Sequence, residues 1–167
     1  MKIGSTDDLW DIMVYTDSDY AGDRDTRVSV TGYIMYVRGV PVCWKSKGQR
    51  SVTLSSTEAE FVALSEAVKE IKFVVQVMES VGMEVRLPII VRVDNVGAIH
   101  LSNNLSTSQR TKHIDVRYHF IREFVEDGFI KIFFVWTIEN DADIFTKNWS
   151  VDVFECYSQK IVGAKFD

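Results

Sequence analysis

Hydrophobic and polar positions change their period along the chain in a definite order. "DIMVYTD" is an apolar run of strand length that ends in an acid. "TGYIMYVRG" and "VPVCWKSK" read as two further β segments joined at Gly39, which predicts an antiparallel meander. The period then lengthens. Over "SSTEAEFVALSEAVKEIKFVVQVMESVG" apolar residues recur at helical spacing, with Ser55 and Glu58 in capping-box register and Gly82 as a C-terminal stop. "LPIIVRVD" is a continuous apolar run, of the kind expected of a strand buried on both faces, and "NVGAIHLSNN" reads as a short helix, so this order predicts a β-α-β crossover. After the polar loop "LSTSQ", "TKHIDVRYHFIREFVEDG" reads as a helix closed by Gly128 and "FIKIFFVWT" as the last strand. "DADIFTKN" and "VDVFECYSQKIVG" read as two short helices. Pro41 and Pro88 both fall at strand entrances, where proline is tolerated. The succession βββαβαβα predicts an α/β fold with a mixed sheet.

Composition narrows the class. The 167 residues, 46% of them hydrophobic, fit one domain spanning 1–167 with a core over about 12–163. No apolar stretch approaches the roughly 20 residues of a membrane span, and "MKIGSTDDLW" lacks the apolar region of a signal peptide, so an intracellular chain without a membrane partner is expected. Cys43 and Cys156 lack metal-ligand spacing and read as reduced thiols without a role. The net charge of −5 excludes a protein that coats nucleic acid by bulk attraction. A polyanionic partner would need local basic patches or bound cations.

The candidate chemistry is acidic. In "TDSDYAGDRDTR" Asp17, Asp19, Asp23 and Asp25 crowd together directly after a strand, and such carboxylates repel one another unless solvent, arginine or a metal ion neutralises them. Asp17 ends the first strand and Asp94 the crossover strand. If those strands are parallel neighbours, both carboxylates meet at the carboxyl edge of the sheet, where α/β folds place ligands. Glu60 shares a helical stripe with Leu64, Ala67, Ile71, Val74 and Met78 and so points toward the sheet, whereas Glu58 aligns with Ser65 and Lys69 on a more polar side. An acid in a first turn also favours the helix dipole and can lie at the core's rim without further function. Three acids from three elements at one edge point instead to a hard-cation site, because Mg²⁺ takes oxygen ligands. A calcium loop is the alternative: Asp17, Asp19 and Gly22 match its first, third and sixth positions, but Val28 stands where its bidentate acid belongs.

The segments "TDSDYAGDRDTRVSVTGYIMYV", "SSTEAEFVALSEA", "VDNVGAIHLS", "RTKHIDVRYHFIRE" and "DADIFTK" together resemble the ribonuclease H domain of copia-type LTR-retrotransposon Pol polyproteins, from about Val14 to Gly163. The resemblance implies the ribonuclease H-like fold, a five-stranded mixed sheet in order 3-2-1-4-5 flanked by helices on both faces. It implies hydrolysis of the RNA strand of RNA–DNA hybrids during reverse transcription, leaving a 5′-phosphate and a 3′-hydroxyl. Two Mg²⁺ ions, with Mn²⁺ as a substitute, would be held by four carboxylates. Carried over by motif, these are Asp17, Glu60 of "STEAEF", Asp94 of "VDN" and Asp143 of "DADIFTK". Two such ions, about 3.5–4 Å apart, activate the attacking water and stabilise the leaving oxygen. The implied partners are the hybrid, told from DNA by its 2′-hydroxyls and shape, and a reverse transcriptase domain in the parent polyprotein. A monomer in isolation is expected, in a cytoplasmic virus-like particle or the nucleus.

Two departures stand against this pattern. Cellular and retroviral relatives often carry a histidine in the loop before the last aspartate, and here that loop is "TIEN". Asp141 stands where relatives often carry proline or leucine and rivals Asp143 as the fourth acid, while Asn148 replaces a frequent proline. A domesticated, non-catalytic binding or structural module is the competing function, and an integrase- or resolvase-type nuclease a third. Within "QRTKHIDVRYHFIRE", Arg110, Lys112, Arg117 and Arg122 are candidates for phosphate contact, Arg110 and Lys112 foremost because they sit in the loop and first turn; the alternative is an amphipathic helix that buries Ile114, Tyr118 and Ile121 and leaves its charges solvated. His113 and His119 read as structural, and Trp44 and Trp136, lying in strands, as core residues.

Overall fold

A computed structural model describes residues 9–22, 25–103 and 112–163, without the side chains of 100–103 and 112–115. Three antiparallel strands come first: β1 (Ile12–Asp19), β2 (Val30–Val37) and β3 (Val40–Gly48). The β2–β3 hairpin turns at Arg38 and Gly39, both at positive φ (50° and 78°), the geometry whose twist matches that of the flanking strands. Gly39 accommodates it without cost; Arg38 does so in the left-handed region.

Helix α1 (Ser56–Ser80) follows. Ser55 caps it by accepting from the Glu58 backbone N–H at 3.1 Å, while the Glu58 carboxylate reaches back to the Leu54 N–H at 2.8 Å, one residue short of the usual reciprocal partner. The chain then runs through β4 (Ile89–Val93), α2 (Val96–Asn103), α3 (Lys112–Glu126) and β5 (Ile130–Phe134), and ends in α4 (Val151–Val162). Strand β4 lies parallel to β1 and β5 parallel to β4, giving the sheet order β3-β2-β1-β4-β5. Helices α1, α2 and α3 pack on one another over one face, and α4 packs against a short 3-10 turn (Asp141–Phe145) and β3.

Between the sheet and α1 lies the core. Val14, Met35, Val91 and Ile132 of the strands meet Phe61, Leu64, Val68, Ile71 and Val75 of α1, with Ile121 of α3 closing one side. Phe61 stacks on Tyr118, ring centroids 4.1 Å apart. Because α3 covers the flank of α1 that spacing marks as polar, Ser65 is buried too, and its hydroxyl accepts from Arg117 Nη1 at 3.2 Å.

Several expectations change here. Strand β4 alternates instead of being buried on both faces: Ile89, Val91 and Val93 are buried, while Ile90 and Arg92 are half-buried, Ile90 lining a groove with Met13, Tyr15 and Phe133. The helical layer covers one face of the sheet far more completely than the other. "DADIFTKN" forms a 3-10 turn rather than an α-helix, and a second 3-10 turn (Thr137–Glu139) precedes it. Trp44 and Trp136 are 60% and 68% exposed, not core. Trp44 stands on the outward face of the edge strand β3, and Trp136 lies beyond the last residue of β5. His119 is likewise on the surface. Among the described residues no helix is long and apolar enough to cross a membrane.

Candidate functional site: an acid cluster at the carboxyl edge of the sheet

Parallel pairing sets the site. Thr16 of β1 is level with Val93 of β4, so Asp17 and Asp94, the next residue of each strand, emerge side by side. From the other direction α1 delivers Glu60, whose Oε1 accepts from the Ser18 backbone N–H and hydroxyl, both at 2.9 Å. One carboxylate oxygen from each of Asp17, Glu60 and Asp94 lies within 4.8 Å of the others. Asp17 and Glu60 are buried, and among the described residues Glu60 Oε2 has no hydrogen-bond partner.

Asp143 reaches the same place from the 3-10 turn. Asn140, fully buried, anchors that turn: its Nδ2 donates to the Thr16 carbonyl at 2.9 Å and its Oδ1 accepts from the Ala142 N–H at 3.2 Å. Asp143 and Asp17 lie within hydrogen-bonding reach of each other. The Thr146 hydroxyl donates to Asp17 Oδ2, and the Thr137 hydroxyl to Asp94 Oδ2 at 3.0 Å. Lys147 Nζ lies 2.7 Å from Asp143 Oδ1 and 3.9 Å from Asp17 Oδ2. Asp141 points elsewhere: it accepts from the Tyr36 hydroxyl at 2.8 Å and pairs with Lys160 Nζ at 2.5 Å, which neutralises it away from the cluster.

Electrostatically the cluster is short of positive charge. Burial pushes the Asp17 carboxyl up to about 6, with Asp143 adding to the shift and Thr146 and Lys147 opposing it. Burial first, and then the charges of Asp17 and Asp94, hold Glu60 well above the usual carboxylate range. Asp94 is raised by burial and by Asp17, and Asp143 by burial against the pull of Lys147. Oxygen donors that resist ionisation at one spot, one of them unpartnered, fit a hard divalent cation.

Of the other candidates, Asp19 ends β1, and Asp23, Arg24 and Arg110 lie outside the described residues. Lys112 opens α3, but its side chain, like that of His113, is outside them too. Spacing did not reveal Ser18, Thr137, Asn140, Thr146 or Lys147; the signal for Lys147 is its position four residues after Asp143. Nor did it reveal a groove of about 310 Å³ lined by Lys45, Lys47, Gln49, Arg50 and Arg117. The groove adjoins the acids: Gln49 Nε2 donates to Thr31 Oγ1 at 3.0 Å and to the carbonyl of Ala59, the neighbour of Glu60, at 2.9 Å.

No protein-family model matches the chain. It is 45% identical over 149 residues to the retrovirus-related Pol polyprotein from transposon TNT 1-94 of Nicotiana tabacum, a match covering 89% of this chain and 11% of that protein. With the Pol polyprotein from transposon RE1 of Arabidopsis thaliana it shares 38% identity over 88% of this chain and 10% of that one. The chain thus spans about a tenth of the length of these relatives. Among solved structures, the LC11 ribonuclease H1 isolated from compost superposes with a TM-score of 0.60 at 17% identity, covering 80% of this chain and 90% of that one. The same enzyme in complex with an RNA/DNA hybrid gives 0.59 at 14% identity, over 80% and 92%. The prototype foamy virus protease–reverse transcriptase gives 0.50 at 14% identity, over 98% of this chain and 22% of that one. The fold is that of ribonuclease H.

Proposed function

We propose that this chain, whose homologues are retrovirus-related Pol polyproteins of plant transposons, is a divalent-cation-dependent ribonuclease H that cleaves the RNA strand of RNA–DNA hybrids during reverse transcription. The observation that carries the reading is the convergence of Asp17, Glu60 and Asp94, with Asp143 against Asp17, at one edge of a ribonuclease H sheet. Asp17, Glu60, Asp94 and Asp143 would hold Mg²⁺ in two positions, with Mn²⁺, which takes the same oxygen ligands, as a substitute. When bound, these ions supply Lewis acidity toward a phosphodiester and lower the pKa of a water.

The protein's own residues prepare the rest. Ser18 fixes the Glu60 carboxylate, Thr137 that of Asp94, and Thr146 that of Asp17, so the donors are oriented before substrate arrives. In the adjoining groove, Lys47 and Arg50 offer cations to phosphates. The hybrid-bound neighbour and the reverse transcriptase chain of the same fold support the choice of substrate and of a reverse transcriptase partner in the parent polyprotein.

The test is cleavage of an end-labelled hybrid in Mg²⁺ or chelator, by wild type and Asp94→Asn. Wild type should cut only the RNA strand, only with the metal. The variant, which keeps size and loses charge, should fold and not cut. Undiminished cleavage by the variant would remove Asp94 from the chemistry. A wild type that binds the hybrid without cutting it would leave a non-catalytic module.

A further inference from the structure

The acid cluster is compensated unevenly. Among the described residues Lys147 alone forms ion pairs with these four acids, and it sits on one side, 2.7 Å from Asp143 and 3.9 Å from Asp17. On the other side Glu60 Oε2 has no hydrogen-bond partner among the described residues, and Asp94 is held by the neutral Thr137 hydroxyl. Asp17 belongs to both halves: it lies in the trio with Glu60 and Asp94 and against Asp143. The backbone of Lys147 is fixed by its N–H to the Asp143 carbonyl at 3.2 Å, while its side chain is one-third exposed. A flexible four-carbon stem with a solvent route lets the ammonium leave without the turn unfolding.

We propose that Lys147 is a tethered counter-cation, which holds the Asp17–Asp143 edge together in the metal-free protein and competes with divalent cations for it. The inference rests on the hard-cation reading of the cluster. An ammonium at ion-pair distance from two buried carboxylates lowers their attraction for any second cation, so a metal binding at this edge must displace it. Among the described residues no cation lies at ion-pair distance from Glu60 or Asp94, and Lys147 acts on Asp94 only from farther off. The two halves of the cluster therefore take up cations in sequence, the unoccupied side first, and Lys147 sets the concentration at which the second half fills.

Calorimetric Mg²⁺ titration and thermal melting in chelator, on wild type, Lys147→Met and Lys147→Arg, test this at constant pH and salt. In Lys147→Met the weaker of two binding events should tighten by about tenfold or more, and the metal-free melting temperature should fall, because two acids lose their counter-charge. Lys147→Arg, which keeps the charge, should stay near wild type on both readouts. Unchanged or weaker Mg²⁺ affinity in Lys147→Met overturns the competition. If wild-type protein itself binds no Mg²⁺, the hard-cation reading fails and this inference falls with it; two-step binding that Lys147→Met leaves unaltered refutes this inference alone.

Discussion

At the scale of single residues the site is defined by carboxyls that resist ionising. Asp17, ordinarily at 3.8, is held at about 6, and Glu60 is held well above its ordinary range by burial and then by Asp17 and Asp94. An acid whose value is higher folded than unfolded binds its proton more tightly in the native state. The metal-free protein therefore gains stability as pH falls through about 6 toward 3.8, and lacks that contribution at pH 7. In chelator the melting temperature should be several degrees higher at pH 5 than at pH 7, and saturating Mg²⁺ should flatten the difference. A metal-free melting temperature that falls between pH 7 and pH 5 would contradict the cluster's electrostatics. Glu60→Gln should raise metal-free stability at pH 7, remove part of this pH dependence and abolish cleavage. Asp17, Glu60 and Asp94 were readable as candidates because strand ends and an apolar helical stripe fix where they point. Asn140, Thr146 and Lys147 were not, because a five-residue 3-10 turn has no periodicity to betray which side chains face inward.

At the scale of elements, the contact between β2 and the 141–145 turn decides whether Asp143 arrives. Gly32 lies opposite Asp17 in the β1–β2 ladder, and a Cβ there would come within 2.5 Å of Thr146 Cγ2, 3.0 Å of the Ala142 carbonyl oxygen and 3.1 Å of Phe145 Cβ. Gly32→Ala should push the turn off the strand, costing about 1–3 kcal/mol in denaturant unfolding and lowering the cleavage rate more than hybrid affinity. Wild-type stability with wild-type turnover would show that the turn shifts freely. Sequence periodicity located every long element, yet it misjudged the faces of β3, β4 and β5. Trp44, Ile90 and Trp136 read as core residues by hydrophobicity alone, and whether a helix covers them is a tertiary matter that alternation within one strand does not encode.

For the whole molecule, a net charge of −5 must be reconciled with the polyanionic substrate proposed above. The groove beside the acids gathers Lys45, Lys47, Arg50 and Arg117 against a single acid among the described residues, Glu66, which pairs with Lys45 at 3.6 Å, so it is locally positive where the average is negative. Lys47→Ala and Arg50→Ala should each weaken hybrid binding across all sequences and reduce the salt slope by about one, as measured by anisotropy at several ionic strengths. Equal affinity and slope would place the substrate elsewhere. The sheet order was foreseen through the family resemblance, whereas this groove was not: its cations come from β3, the loop after it and α3, which no single stretch of sequence shows together.

The long-range stitching of the last turn also governs when the protein becomes competent. Asn140 bonds to Thr16 and Thr146 to Asp17 across 124 and 129 residues of chain. Closures over such spans follow local helix and hairpin formation. On a ribosome the first three strands and α1 can assemble while Asp94 and Asp143 are still untranslated, so the growing chain at that stage carries two of the four acids and lacks the turn that completes the set. On the proposed function, the acid set is complete only when synthesis has passed Lys147, and cleavage competence follows from that point.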